Sequence, residues 1–527
     1  MAKRVLVSDP LSQQGIEVLE QAGLDVDVKT GLCEDELAAI IGEYEGLVIR
    51  SQTQVTARVI AAAKKLKVIG RAGVGVDNVD LEAATEHGIV VLNAPSGNTI
   101  STAEHTMAML LALARNIPQA HLSMQEGRWE RKKYTGVELN NKVLGIIGLG
   151  RVGSEVAVRA HAFGMKILAY DPYLAEERAE ELGIRLANID EILETSDFIT
   201  VHTPLTPKTR NLIGKAEFAR MKDQVRIVNC ARGGIIDYEA LAQAVKEGKV
   251  AGAAIDVYEQ EPPGDLPLRG LPQVILTPHL GASTEEAQIN VAIDVARELV
   301  RALEGKTFKN AVNMTPLREE LLSQLEPYLD LSKKLGSMAA QLSRGGIASV
   351  EVTYSGELAE LEIAPLTTAL LQGILSLPYG EEVNMVNAGY LAKKRGIKVK
   401  ESRAESPEDY TNLISVTTHS AKGSHQLAGS LFAPREVRIV QVEGYHVDVI
   451  PQGHFLVINH HDRPGVIGEV GTLLGQRGIN IATMQVGREE LGGDAVMILS
   501  IDSVLTEDIL AEIGRIKDIK SVRTVNI

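Results

Sequence analysis

Short runs of Val and Ile alternate with Ala-rich amphipathic stretches through the first third of the chain. Segments 4–8, 46–50, 67–71 and 89–93 are β-branched and bounded by Gly, Asp or Pro, which predicts strands; 11–22, 34–42 and 56–64 carry the helical period between them. Strands alternating with helices imply a mostly parallel sheet with helices on both faces. Ser101 and Glu104 read as a capping box ahead of the nearly all-apolar stretch 107–114, whose lack of a polar face implies burial between domains or subunits. A second alternating series follows, with candidate strands at 142–147, 166–170, 198–202, 225–229, 251–257 and 274–277. It predicts a second doubly wound lobe. Beyond Gly281, Ser283 and Glu286 stand where a cap belongs, Val291, Val295, Leu299 and Leu303 mark one helix face, and Gly305 stops it.

The pattern changes after a linker at 307–316. Helices are predicted at 318–344, 363–377 and 384–395, with strands at 348–354 and over most of 411–440. This is a separate α+β domain, and it carries no chemical signature. From 454 the order is strand (454–460), helix (466–477), strand (480–487), strand (494–501), helix (506–515), strand (520–526), the ferredoxin-like βαββαβ arrangement. The fold class is α/β: two doubly wound Rossmann-like lobes, an intervening α+β domain over 316–451 and a ferredoxin-like domain over 454–527.

A length of 527 residues suits this domain count at about 150 residues each. Hydrophobic residues at 45% and charged residues at 23% exclude a disordered chain, and aromatics at 4% leave the cores to Val, Ile, Leu and Ala. The net charge of −15 disfavours a nucleic-acid or anionic-membrane partner, so an anionic substrate needs a local basic cluster. Cys33 and Cys230 are too few for a disulfide framework or a thiolate metal site and fit a reducing cytoplasm. Polar residues interrupt the N-terminus before any signal-like apolar region forms, and no apolar run approaches the ~18 residues of a membrane span. A soluble cytoplasmic protein without a bound metal is expected.

The strand at 143–147 runs into Gly148-Leu-Gly150-Arg-Val-Gly153, and a helix opens behind it. Gly148 permits the tight turn, Gly150 lets the backbone approach a pyrophosphate, and Gly153 allows close helix–strand packing. The helix start offers free N–H groups and a positive dipole end. Asp171, at the end of the next strand, is placed to accept bonds from both ribose hydroxyls and to repel a 2′-phosphate, which favours NAD over NADP. Its other reading is the start of an Asp-Pro turn.

Three further segments fall at strand ends, where open α/β sheets hold ligands: NCARGG at 229–234, DVYEQEPP at 256–263 and PHLGAST at 278–284. Oxidation of an alcohol by hydride transfer needs a base, a carboxylate to orient it and a cation to hold an acidic substrate. His279, Glu261 and Arg232 supply these types. Singly each has a bland reading: a packing histidine, a loop acid, a turn residue. Cys230 reads as packing.

These motifs, with Gly148–Gly153 and Asp171, resemble the D-isomer-specific 2-hydroxyacid dehydrogenase family. The stretch GRAGVGVDNVD at 70–80, WERKK at 129–133 and the long C-terminal extension narrow the resemblance to its long-form members. The resemblance implies a discontinuous substrate-binding lobe (1–97 with 280–315) around an NAD-binding lobe (98–279). The implied reaction is NAD-dependent oxidation of 3-phospho-D-glycerate to 3-phosphohydroxypyruvate, opening phosphorylated L-serine biosynthesis, with Arg232, Glu261 and His279 catalytic. Implied NAD contacts are Val74, Gly148, Gly150, Arg151, Val152, Gly153, Asp171, Thr203, Cys230, Ala231, Asp256, Leu280, Gly281 and Ala282, with Asp256 on the nicotinamide carboxamide. Arg50, Ser51, Arg71, Gly73, Val74, Gly75 and Asn78 are the implied substrate contacts, and Arg131-Lys132-Lys133 is either a further cation source or a solvated charge run.

The last domain, with HHDRPG at 460–465 and GINI at 478–481, resembles an ACT domain, a regulatory module that binds amino acids. The implied effector is L-serine, with His460, Asp462 and Asn480 as contacts; the alternative is a domain that only dimerises. His460 and His461 diverge from one strand, which opposes a two-histidine metal site. A homodimer or tetramer is expected, from the apolar helix after Ser101 and from paired ACT domains. Two alternatives stay open: a dehydrogenase for another 2-hydroxy acid, or a non-catalytic NAD-sensing scaffold.

Overall fold

The computed structural model describes residues 2–314, 319–343, 345–405, 409–433 and 435–527. The end of the expected linker (315, 316) and the expected helix limits 318 and 344 lie outside the described residues. Strands β1 (Arg4–Val7), β2 (Asp25–Val28), β3 (Gly46–Ile49), β4 (Val68–Arg71) and β5 (Val90–Asn93) form a parallel sheet in the order β2-β1-β3-β4-β5. The edge strand β2 reads Asp-Val-Asp-Val, too polar to stand out as a run, and its Asp27 is held by Arg4 and by the Tyr44 hydroxyl at 2.6 Å.

The second sheet is also parallel. It comprises β6 (Val143–Ile147), β7 (Lys166–Tyr170), β8 (Arg185–Leu186), β9 (Phe198–Val201), β10 (Val225–Asn229), β11 (Val250–Ile255) and β12 (Val274–Leu276) in the order β12-β11-β10-β9-β6-β7-β8. The order reverses between β6 and β9, so the strand ends there open a crevice for a ligand.

Two caps differ from the sequence reading. The helix Thr99–Arg115 starts before Ser101, so Ser101 sits inside it and bonds Thr284 Oγ1 at 2.8 Å instead of capping. The helix Glu285–Leu303 is capped by Thr284, whose hydroxyl accepts from Ala287 N, one residue past the expected Ser283. Its buried face of Val291, Val295, Leu299 and Leu303 packs on the first sheet. The absence of side chains at Gly46 and Gly70 lets Leu299 and Val295 lie against the strands there.

The third sheet holds β13 (Ile347–Gly356), β14 (Lys398–Ala404), β15 (Asn412–Ser420), β16 (Gly423–Leu431), β17 (Val437–Val442) and β18 (Tyr445–Val449) in the order β14-β13-β15-β16-β17-β18. The helices Glu319–Leu342 and Ala364–Tyr379 cross at Gly336 and Gly373, where an added Cβ would lie 2.1 Å from Leu370 O and 2.0 Å from Lys333 O. The helix expected at 384–395 shortens to Ala388–Lys394, because Asn384 and Asn387 bond each other's segment in the preceding turn. From that turn Asn384 Nδ2 donates to Gly88 O at 2.8 Å and Asn387 Nδ2 to Glu86 O at 3.4 Å, and Lys394 pairs with Glu86. These groups cap the end of the helix Leu81–Glu86 from another domain.

The last sheet, β19 (His454–His461), β20 (Ile481–Arg488), β21 (Asp494–Ile501) and β22 (Ile519–Asn526), is antiparallel in the order β20-β21-β19-β22. One face buries Leu456 and Ile458 under the helices Val466–Gln476 and Glu507–Gly514. The other face, through Phe455, Val457, Val496, Ile498 and Val525, belongs to the core of the preceding domain. Gln341 and the Asn526 backbone exchange two hydrogen bonds of 2.8 Å across this seam. Among the described residues, no helix is long and apolar enough to cross a membrane.

Candidate active site

The glycine loop takes the form that its spacing calls for. Gly148 has φ 98°, and a Cβ there would meet His202 O at 2.7 Å. A Cβ at Gly153 would lie 2.1 Å from Gly148 O, whereas Gly150 faces open space. Gly150 is the N-cap of the helix Arg151–Ala162 and no side chain caps it, so its first N–H groups remain available to an anion. Asp171 accepts from Leu149 N and Tyr173 N, each at 2.9 Å, and keeps further lone pairs for hydroxyl donors. Thr203 Oγ1, just past the end of β9, is buried without a partner among the described residues. Arg151 reaches back to Pro95 O at 3.4 Å, and Val152 follows it in the first turn. Together these features fit a dinucleotide.

Asp256 is fully buried at the end of β11. Its carboxylate accepts from Thr277 Oγ1 at 2.6 Å, Leu280 N at 2.8 Å and Gly281 N at 2.9 Å, and His105 Nε2 lies 3.3 Å away. Burial pushes its pKa up, but these donors outweigh burial and hold it below the usual value. Asp256 thereby ties down the loop that carries His279, with Ala282 at its end. Cys230, His105 and Asp256 lie together, and burial pushes the Cys230 thiol up to about 12, so it stays protonated. Ala231 N bonds Asn229 Oδ1 at 3.0 Å beside it.

His279 Nδ1 and Glu261 Oε2 meet at 2.6 Å. Burial alone would raise the Glu261 pKa; the bond from His279, its charge, the Tyr258 amide at 3.0 Å and Arg232 lower it overall. Glu261 is therefore an ionised acceptor, and the other ring nitrogen of His279 is left for a ligand. Arg232, fixed by Asn229 Nδ2 at 3.0 Å through its carbonyl, extends toward the first lobe. Its Nη2 lies 2.5 Å from where a Gly75 Cβ would stand, and its Nε is 3.7 Å from Asp77.

Across the cleft, Arg71 occupies the space left by Gly73. Burial, then Arg232, together with Arg50, push its guanidinium down to about 10, and its buried Nε has no partner among the described residues. Arg50, Arg71 and Arg232 thus form a cationic cluster on an acidic protein. Arg50 is held through its amide by Asp9 at 2.5 Å, and exposed Ser51 follows it. Val74 O accepts from Asn93 Nδ2 at 2.7 Å. Asn78 donates both its amide hydrogens, to Arg50 O at 2.7 Å and Thr53 O at 2.6 Å, and so shapes the loop. The segment Arg131–Tyr134 is an exposed turn in which Lys133 pairs with Glu130.

In the last domain His460 is buried, with Nδ1 on His461 O at 3.0 Å and Nε2 without a partner among the described residues. Asp462 is bonded by Arg488 at 2.7 Å, and Asn480 bonds Asp502 at 2.7 Å. Sequence reasoning missed His105, Asp9, Asp77, Tyr238 and Tyr258. Tyr258 and Asp77 lie within the stretches 256–263 and 70–80 but carry no readable role there, whereas His105, Asp9 and Tyr238 stand in no motif; only the meeting of distant loops reveals what each does.

Three family models match the chain. D-isomer specific 2-hydroxyacid dehydrogenase, NAD binding domain, covers 107–281; D-3-phosphoglycerate dehydrogenase intervening domain covers 324–443; ACT domain covers 454–518. A D-3-phosphoglycerate dehydrogenase of Synechocystis sp. is 48% identical over 100% of this chain and 95% of its own length. One from Methanocaldococcus jannaschii is 49% identical over 99% and 100%, and one from Bacillus subtilis 45% over 99% and 99%. Among solved structures, the D-lactate dehydrogenase from Aquifex aeolicus complexed with NAD and lactic acid is 28% identical, with a TM-score of 0.52 over 57% of this chain and 96% of its own.

Proposed function

The chain belongs to the D-3-phosphoglycerate dehydrogenase family, NAD-dependent oxidoreductases, and on that premise we propose that it oxidises 3-phospho-D-glycerate to 3-phosphohydroxypyruvate, the first step of phosphorylated L-serine biosynthesis. The observation that carries this reading is the 2.6 Å Glu261–His279 pair opposite a cleft with three arginines. In this reading residues 1–97 and 280–315 form the substrate lobe and 98–279 the NAD lobe.

Gly150 and the start of Arg151–Ala162 would hold the dinucleotide's pyrophosphate, Asp171 its ribose hydroxyls, and Cys230, Asp256 and the 280–282 loop its nicotinamide end. When bound, NAD supplies the hydride acceptor. His279 Nε2 takes the proton of the substrate hydroxyl, and ionised Glu261 fixes the tautomer and stabilises the imidazolium. Arg232 holds the carboxylate and polarises the oxygen that becomes the carbonyl. Arg71 and Arg50 compensate the phosphate, and the unpartnered Arg71 Nε supports an anion there. The ACT domain takes L-serine beside His460, Asp462 and Asn480, where the Asp462–Arg488 pair must open to admit an ammonium group. Exposed Ile117, Leu122, Met124 and Trp129 support pairing of the NAD lobes in a cytoplasmic homo-oligomer.

The test is NADH formation from 3-phosphoglycerate, with and without millimolar L-serine, against D-lactate and D-glycerate. Turnover confined to the phosphorylated acid is expected, with suppression by L-serine. Equal turnover of D-lactate would overturn the substrate assignment, and NAD binding without turnover would favour the scaffold.

A further inference from the structure

Glu261 and His279 come from different loops, one after β11 and one after β12, yet the hydrogen bond between them is short. One residue contacts both loops. The amide of Tyr258 donates to Glu261 Oε1 at 3.0 Å, while Glu261 Oε2 faces His279. The phenol of the same residue donates to Thr277 O at 2.9 Å. That carbonyl also accepts from His279 N at 3.1 Å, closing a tight turn in which His279 has φ 54°. A histidine in the left-handed region holds its place only when its surroundings over-determine it. Here the restraints on the turn from outside it are the Tyr258 phenol on the Thr277 carbonyl, the Ile255 carbonyl on the Thr277 amide, and the Asp256 carboxylate on the Thr277 hydroxyl and the Leu280 and Gly281 amides. The backbone of Tyr258 also lies against the arginine loop: a Cβ at Gly233 would fall 2.0 Å from its carbonyl carbon.

We propose that Tyr258 is a positioning residue for the reaction, its hydroxyl setting the turn that aims His279 while its amide aims Glu261. This rests on the dehydrogenase reading of the site. Asp256, Glu261 and Arg269 are the charged groups around the phenol. Burial, then the two carboxylates, push the phenol up to about 12, so it remains a donor throughout the working pH range. A phenylalanine would keep the packing and the amide and remove the hydroxyl's bond to Thr277 O at 2.9 Å, with the longer contact to Ile255 O at 3.5 Å.

Tyr258→Phe, in the full chain, tests this. The loss of one half-buried hydrogen bond that aligns reacting groups predicts a fall in kcat of about tenfold with the NAD KM within about twofold. The acidic limb of the kcat/KM profile moves to lower pH, because a less well aligned Glu261 stabilises the imidazolium less. In ¹⁵N-histidine-labelled protein, the downfield Nδ1–H resonance of His279, assigned with His279→Asn, moves upfield or broadens. Tyr354→Phe is the comparison: it removes the hydroxyl of a fully buried phenol in the intervening domain, bonded to Thr367 Oγ1 at 2.9 Å and remote from both loops. It should leave kcat, limb and resonance in place. Wild-type kcat, limb and resonance in Tyr258→Phe would overturn the proposal, as would the same shifts in Tyr354→Phe. If the wild-type chain fails to oxidise the phosphorylated acid, the functional reading falls, and the resonance alone decides the role of Tyr258.

Discussion

His202 follows β9 directly, with its ring bonded to Thr200 Oγ1 at 3.0 Å. An imidazole in an unfolded chain titrates near 6.5, but burial pushes this one down to about 4. Between those values the unfolded chain binds a proton that the folded chain refuses. Stability therefore rises with pH through that window and is lost as pH falls, by up to roughly 3 kcal/mol. Urea unfolding of the wild type and of His202→Asn at pH 4.5 and 7 should show a flatter dependence in the variant; parallel curves would remove His202 as the cause. At this scale the sequence makes the chemical groups visible and hides what orients them. Arg232, Glu261 and His279 are read from residue type and strand-end position. That Asn78 is spent on Arg50 and Thr53, or that Tyr258 spans two loops, depends on loop folding that no short motif encodes.

The strand–glycine–helix unit at 143–162 separates two uses of glycine. Gly153 has a carbonyl 2.1 Å from its absent Cβ, and Gly150 has nothing. Gly153→Ala must push helix from strand, so it should lower both Tm and NADH affinity, the latter by more than about tenfold. Gly150→Ala should weaken NADH binding with Tm unchanged. Fluorescence titration and thermal melts separate the two, and a Gly150→Ala variant that binds normally would place the pyrophosphate elsewhere. The buried strands β3, β4, β6 and β9 were legible because both faces are apolar. The short or polar strands β2, β8 and β14 escaped because they lie at sheet edges, where pairing needs no hydrophobic pattern. The two misplaced caps share one cause: Ser and Thr near a helix start compete for the same role, and tertiary contacts such as Ser101 with Thr284 decide between them.

In the whole molecule, an acidic chain concentrates arginines in one cleft between lobes, and a third domain holds one of those lobes from behind. The Asn384, Asn387 and Lys394 contacts close the end of the helix Leu81–Glu86, which follows directly on the loop of Gly73, Gly75 and Asn78. Replacing Asn384 with Ala and Lys394 with Glu should speed amide exchange over 81–88 and raise the substrate KM more than the NAD KM. Unchanged exchange would make the contact incidental. The domain order was readable from the sequence; this junction was not, since two asparagines in a turn carry no sign of what they will cap. The buried seam at Phe455 and Val525 extends the connection. A sheet whose oily side is another sheet's core cannot pivot by itself without baring that core, so the final sheet and the middle domain are one packed block, like a gear already in mesh. That block touches the first lobe through Asn384 and Lys394.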